Sequence, residues 1–244
     1  MDNVIVTGAS RGIGLAIAKK LVASGFGVVA VARSVGEELK AAMAAGEREV
    51  RGSLRFAALD LSDIEAIPAF VSALRRDMGP IYGLVNNAGL GTQGLLATMP
   101  TSQIEALLRL NTLSPIVLTK HVVRGMMAEG RGRIVNVSSV IASTGYNALS
   151  VYGASKAAMI GFTKSLAREV GRVGVTVNAL APGFIDTEMT RGLDDVQRKR
   201  VADRSALRRL AEVADVADMA AYLIGETGRN ITGAVMTIDA GSTA

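Results

Sequence analysis

The chain has 244 residues, 49% of them apolar, and a net charge of +5, which fits one continuous α/β core better than two ordinary domains with a linker. It holds no cysteine, so a disulfide framework and a thiolate metal site are excluded, no metal is expected, and a reducing, cytoplasmic setting is the simplest home. Its 27 lysines and arginines are scattered and only 4% of residues are aromatic, which argues against nucleic acid as a partner.

In chain order, the first strand-like run is Asn3–Thr7, which begins too close to Met1 for a secretory signal, so none is expected. A helical pattern over Gly12–Ser24 and a second apolar run over Gly27–Val31 follow, the βαβ rhythm of a parallel sheet. Further strands are predicted at Leu54–Leu59, Ile81–Val85, Arg133–Ser138, Val175–Leu180 and Ala234–Ile238, with helices between them. Runs such as Val28-Val29-Ala30-Val31 are apolar without alternation, as strands covered on both faces must be. The expected fold is therefore an α/β Rossmann-type doubly wound sheet of about seven parallel strands with helices on both faces, one domain over residues 1–244. The charged stretch over about 184–211, after the turn dipeptide Pro182-Gly183, reads as a mobile helical flap over a site. Apolar runs stay below the ~20 residues a bilayer span needs, so no membrane association is expected.

Directly after the first strand comes Thr7-Gly8-Ala9-Ser10-Arg11-Gly12-Ile13-Gly14, opening the first helix. Glycines there permit a tight turn and close backbone approach, and a helix N-terminus presents free N–H groups to a pyrophosphate. The spacing is Gly-x-x-x-Gly-x-Gly. With Asn86-Asn87-Ala88-Gly89, Asn111, Ser139, Tyr152-x-x-x-Lys156, Pro182-Gly183 and Thr187 in that order, the chain resembles the short-chain dehydrogenase/reductase family over almost its whole length.

An acidic residue about 20 positions past the glycines would hydrogen-bond the ribose 2′-OH of NAD. Here the second strand ends Val31-Ala32-Arg33-Ser34, and Arg33, Arg11 and Ser10 could instead meet a 2′-phosphate, so NADP(H) is the expected cofactor. By the resemblance Asp60, beside Leu61, contacts the adenine; the alternative is that Asp60 caps the following helix. Asn87, Ala88 and Gly89 lie at the carboxyl end of the fourth strand, where ligands bind in open α/β sheets. Pro182, Gly183, Ile185 and Thr187 resemble the family's contact with the nicotinamide carboxamide.

Tyr152 and Lys156 are four apart on a predicted helix and so share a face. A nearby ammonium is expected to lower the tyrosine pKa toward the working pH of a general acid–base. The resemblance gives Ser139 the task of polarising a carbonyl, with Ser138 its nearest rival, and gives Asn111, on a predicted helix over Ile104–Leu118, a place on a proton path to Lys156. It also gives Lys156 a hold on the nicotinamide ribose, and implies ketone reduction with Tyr152 as proton donor. The lone His121 is expected to be structural.

Within the family the chain is most similar to bacterial reductases of 3-oxoacyl groups on acyl carrier protein, through Gly125-Met126-Met127, Gly161–Val170 and Pro182–Thr190. An acyl-thioester substrate is implied, with a free small ketone, sugar or alcohol as the alternative and a non-catalytic NADP(H)-binding protein a third reading. Those reductases hold acyl carrier protein through basic residues beside the active-site mouth; the matching positions are Gly130 and Val173, with Arg131 and Arg172 one residue away. A homotetramer built on the helices around Asn111 and Tyr152 is also implied.

Overall fold

The protein is described by a computed structural model covering residues 1–46, 52–185 and 195–244. The elements are β1 (Asn3–Thr7), α1 (Gly12–Ala23), β2 (Gly27–Ala32), α2 (Glu37–Gly46), β3 (Ser53–Ala58), α3 (Ile67–Met78), β4 (Ile81–Asn86), α4 (Thr101–Leu108) and α5 (Ser114–Glu129). Then come β5 (Gly132–Val137), α6 (Ile141–Thr144), α7 (Ser150–Val170), β6 (Val175–Pro182), α8 (Asp195–Arg204), α9 (Val213–Ile224) and β7 (Val235–Ile238).

The strands form one sheet in the order β3-β2-β1-β4-β5-β6-β7, and every neighbouring pair is parallel. Alternate residues of each strand point to opposite faces, so β1 sends Val4 and Val6 to one core and Ile5 to the other. The first core is closed by Ile17 and Leu21 of α1, Leu39 of α2 and Ala220 and Leu223 of α9. The second is closed by Ile67 and Val71 of α3, Leu118 and Met126 of α5 and Leu166 of α7. This is the doubly wound architecture expected of the sequence. The order reverses between β1 and β4, so the crevice of such a sheet opens at their carboxyl ends.

The strand ends agree with the sequence pattern to within two residues, the largest difference being at β6, which continues to Pro182. The helix expected over Ile104–Leu118 is instead α4, a five-residue π-helical turn over Arg109–Leu113, and then α5. Pro115 explains the interruption. It has no N–H to give the Asn111 carbonyl, and its ring would collide with that carbonyl in a regular helix. Ser114 Oγ instead donates to the Arg109 carbonyl at 2.9 Å and to that of Leu61. Among the described residues no helix is long and apolar enough to cross a membrane.

Candidate active site

The loop between β1 and α1 forms a cradle at the crevice. Thr7 ties it to the end of β4: its Oγ1 accepts the N–H groups of Asn87 at 2.9 Å and Ala88 at 3.0 Å and donates to the Val85 carbonyl. Asn87 Nδ2 donates back to the carbonyls of Thr7 and Gly8. Gly12 has φ +56° with nothing within 4 Å of where a Cβ would sit, so it combines a left-handed turn with an open approach. At Gly14 a Cβ would lie 2.4 Å from both Asn87 Nδ2 and the Gly8 carbonyl oxygen, so only glycine fits. No side chain caps the first turn of α1, which leaves its N–H groups for an anion. The donor set and the open wall fit a dinucleotide pyrophosphate.

The carboxyl ends of β4 and β5 and the first turns of α7 bring four side chains together. Asn111, on the π-helical turn, accepts the Leu90 N–H through Oδ1 at 2.8 Å and donates through Nδ2 to the Leu90 carbonyl at 2.9 Å and Ser155 Oγ at 3.2 Å. Lys156 is 5% exposed; its Nζ donates to the Val137 carbonyl at 2.9 Å and lies 5.8 Å from the centroid of the Tyr152 ring. Gly89 borders both groups, since a Cβ there would sit 3.4 Å from Lys156 Nζ and 3.2 Å from Asn111 Oδ1. Ser139 stands close enough to the Tyr152 hydroxyl to act on its pKa, and Ser139 Oγ accepts the Ile141 N–H at 3.3 Å. Ser138 is used otherwise: its hydroxyl donates to the Lys156 carbonyl at 2.8 Å and holds α7 against β5.

The electrostatics correct one expectation. Burial raises the Tyr152 pKa above its ordinary value, and the neighbouring Ser139 hydroxyl pulls only partly against it. The lowering expected from the ammonium is absent: burial is the largest influence on Tyr152, and burial also pushes Lys156 itself down to about 8. Tyr152 is therefore held as the neutral phenol at neutral pH, the state in which it can give a proton.

The short chain dehydrogenase sequence profile matches residues 2–198. The chain belongs to that family. It is 40% identical over 238 residues to 3-oxoacyl-(acyl-carrier-protein) reductase of Vibrio harveyi, covering 97% of this chain and 95% of the relative. It is 38% identical over 237 residues to the reductase of the same description from Escherichia coli strain K12, with the same coverage. Among solved structures it is similar to a short chain dehydrogenase from Burkholderia cenocepacia J2315 in complex with NADP, with a TM-score of 0.92 and 36% identity over 100% of this chain and 98% of that one. A blue fluorescent protein from a metagenomic library in complex with NADPH superposes with a TM-score of 0.92 at 33% identity, over 100% of this chain and 98% of that one. A gluconate 5-dehydrogenase from B. cenocepacia J2315 in complex with NADP and tartrate gives a TM-score of 0.92 at 29% identity, over 99% of this chain and 95% of that one.

The remaining candidate positions of this short-chain dehydrogenase lie along the same edge of the sheet. Arg33, just past β2, and Arg11, before α1, are both exposed, and the Arg33 charge acts on Asp60. Asp60 Oδ1 accepts the N–H of Ser62 at 2.9 Å and its hydroxyl at 2.7 Å, which holds its carboxyl below the ordinary range. That is a local turn, while Asp63 caps the 3-10 turn that leads into α3. Leu61 is buried in the second core. At the end of β6 the Pro182 carbonyl accepts from Val140 N–H and Gly183 N–H donates to Ile238, and Ile185 bridges to Ala211. Thr187, and the part of the expected flap over 186–194, lie outside the described residues. His121 is half-buried further along α5.

Two features were not legible in the sequence. The partners of Asn111 and Lys156 are backbone atoms of Leu90 and Val137, which no residue type announces. The loops that follow β4 and α6 carry exposed apolar residues: Leu90, Leu95, Leu96 and Tyr146 are exposed, Tyr146 meets Phe184 edge to face at 6.0 Å, and Gly94 N–H ties the first loop to the Ala148 carbonyl of the second. The structure also locates the basic positions. Gly130 and Gly174 touch at the amino edge of the sheet, one β5 length of ~20 Å from Ser139, so within one chain neither Arg131 nor Arg172 borders the site. Arg131 instead pairs with Asp2 and lies 4.6 Å above the Tyr82 ring.

Proposed function

We propose that this short-chain dehydrogenase reduces the ketone of a 3-oxoacyl thioester to a secondary alcohol with NADPH. The observation that carries the reading is the grouping of Tyr152 with buried Ser139 and buried Lys156, whose Nζ lies 5.8 Å from the Tyr152 ring. The complexes with NADP and NADPH among similar structures, and the absence of a carboxylate at Arg33, support NADP(H) over NAD. Gly8, Ser10, Arg11, Gly12, Ile13 and Gly14 would hold the phosphates, Arg33 the 2′-phosphate and Asn87 to Gly89 the adjoining ribose. When bound, the nicotinamide supplies a hydride to the carbonyl carbon. Ser139 orients and polarises the carbonyl oxygen, Tyr152 gives it a proton, and Lys156, with Asn111 behind it, returns a proton to Tyr152.

The exposed apolar residues of these loops, Leu95, Leu96 and Tyr146, favour a hydrocarbon tail over a sugar, since large exposed apolar groups mark binding surfaces. The relatives from V. harveyi and E. coli, named for 3-oxoacyl groups on acyl carrier protein, agree with that choice. We place the reaction in the cytoplasm and the enzyme in a homotetramer, supported by Leu108, Leu113, Ala154, Ala157 and Gly161 standing exposed on α4, the π-helical turn and α7. Light scattering should return four times the 25.3 kDa chain mass. The deciding assay follows NADPH oxidation with a 3-oxoacyl thioester beside simple ketones and keto-sugar acids. A thioester preference is expected. Preference for a free ketone or sugar overturns the substrate class, and cofactor binding without any turnover overturns the enzyme.

A further inference from the structure

One exposed stretch of the chain carries an excess of cations that the catalytic reading does not use. From Lys199 to Arg209 there are five cations, Lys199, Arg200, Arg204, Arg208 and Arg209, against one carboxylate, Asp203, so eleven residues carry a net +4 of the chain total of +5. All five are exposed. Among the described residues no carboxylate lies within ion-pair distance of Lys199, Arg200, Arg204 or Arg208. Arg209 shares a cleft of about 510 Å³ with Asp215 and Asp218, whose carboxylates accept the Glu212 N–H and pair with Lys20 respectively.

The position of this cluster matters as much as its sign. The segment returns to the sheet where Ala211 bridges Ile185, just past the end of β6, and the N–H groups of Ala206 and Leu207 donate to the carbonyls of Gly241 and Ala240 beyond β7. It therefore stands at the carboxyl edge, the same edge as Ser139 and Tyr152, whereas Arg131 and Arg172 lie at the amino edge. Its end is fixed in shape. Buried Ser205 accepts the Arg209 N–H at 3.1 Å and donates to the carbonyls of Arg209 and Ala202, both at 2.8 Å. Arg208 is held at φ +51°, a costly conformation for a non-glycine residue, and Leu207 beside it is 60% exposed. An exposed leucine beside Arg208 on a hydrogen-bonded turn, following a helix that carries three exposed cations, is suited to a protein surface of opposite sign.

We propose that the face bearing Lys199, Arg200, Arg204, Leu207 and Arg208 is the docking surface for an acidic protein partner that carries the substrate, the acyl carrier protein named in the activity of the relatives. This rests on the thioester reading above. A protein is favoured over a free phosphate-bearing thioester because Lys199, Arg200, Arg204 and Arg208 are all exposed on a helix and the turn after it.

The test compares one 3-oxoacyl chain presented on acyl carrier protein, on coenzyme A and on N-acetylcysteamine, using Arg204→Glu/Arg208→Glu and the neutral Arg204→Gln/Arg208→Gln pair. The charge-reversed enzyme is expected to lose roughly tenfold or more in kcat/KM for the carrier-bound substrate through KM. The neutral pair should lose less, and the N-acetylcysteamine and coenzyme A thioesters should keep wild-type kinetics in both variants. The wild-type kcat/KM should also fall with added salt only for the carrier-bound substrate. Equal losses on all three substrates, a loss shared by coenzyme A, or no loss on the carrier-bound substrate overturns the docking face. A wild-type enzyme that reduces none of the three thioesters overturns the thioester reading instead.

Discussion

Lys156→Met tests the electrostatics of the site through stability rather than rate. Lys156 is 5% exposed, and burial lowers its pKa from 10.5 to about 8. A base with a depressed pKa binds fewer protons folded than unfolded between those values, so stability rises with pH across that window. The cost of burying the ammonium is fully present below about pH 8 and is relieved as pH rises toward 10.5. At 1.36 kcal/mol per unit the cost is about 3 kcal/mol. Methionine removes the charge but leaves the Val137 carbonyl without its donor, a pH-independent loss of about 1–3 kcal/mol. Urea unfolding of wild type and variant should therefore show the variant equal or more stable at pH 7, with that advantage shrinking by about 3 kcal/mol by pH 10.5. A stability difference that stays flat from pH 7 to 10.5 refutes the buried-ammonium description, whatever its size.

Other consequences follow from single side chains. Arg33→Asp places a carboxylate where a 2′-phosphate would sit, and should move the ratio of kcat/KM values toward NADH; an unchanged ratio contradicts the cofactor assignment. Gly14→Ala sets a Cβ 2.4 Å from Asn87 Nδ2 and the Gly8 carbonyl, so NADPH affinity measured by fluorescence titration should collapse, with a lowered Tm. Asn111→Ala leaves the Leu90 N–H and carbonyl without partners; a stability loss of about 1–3 kcal/mol in urea unfolding is expected, together with a lower kcat.

The architecture was readable because parallel strands covered on both faces must be apolar without alternation, as Val28 to Val31 are, and because glycines at 8, 12 and 14 punctuate the first turn. Ser139 joined the site through the family resemblance, and the pairing of Tyr152 with Lys156 was readable from their spacing. The direction of the Tyr152 pKa was not: the sequence shows an ammonium four residues away, while the balance is set by burial, a property of the folded core. The π-helical turn at Asn111 was hidden for a related reason. Pro115 was in view, but a proline in a helical pattern can kink, break or widen it, and only the Ser114 bonds to Arg109 and Leu61 select among these. The same holds for Arg131, whose neighbours Asp2 and Tyr82 are far away in sequence and meet it only across the amino edge of the sheet.

Tyr152→Phe is the most direct measurement, because it removes one hydroxyl and keeps the ring that packs beside Lys156. Steady-state turnover of a 3-oxoacyl thioester should fall by at least ~10²–10⁴-fold, the usual weight of a positioned proton donor, while NADPH affinity by fluorescence titration stays near wild type. Turnover retained within a few-fold of wild type would contradict the role of Tyr152 as the proton donor.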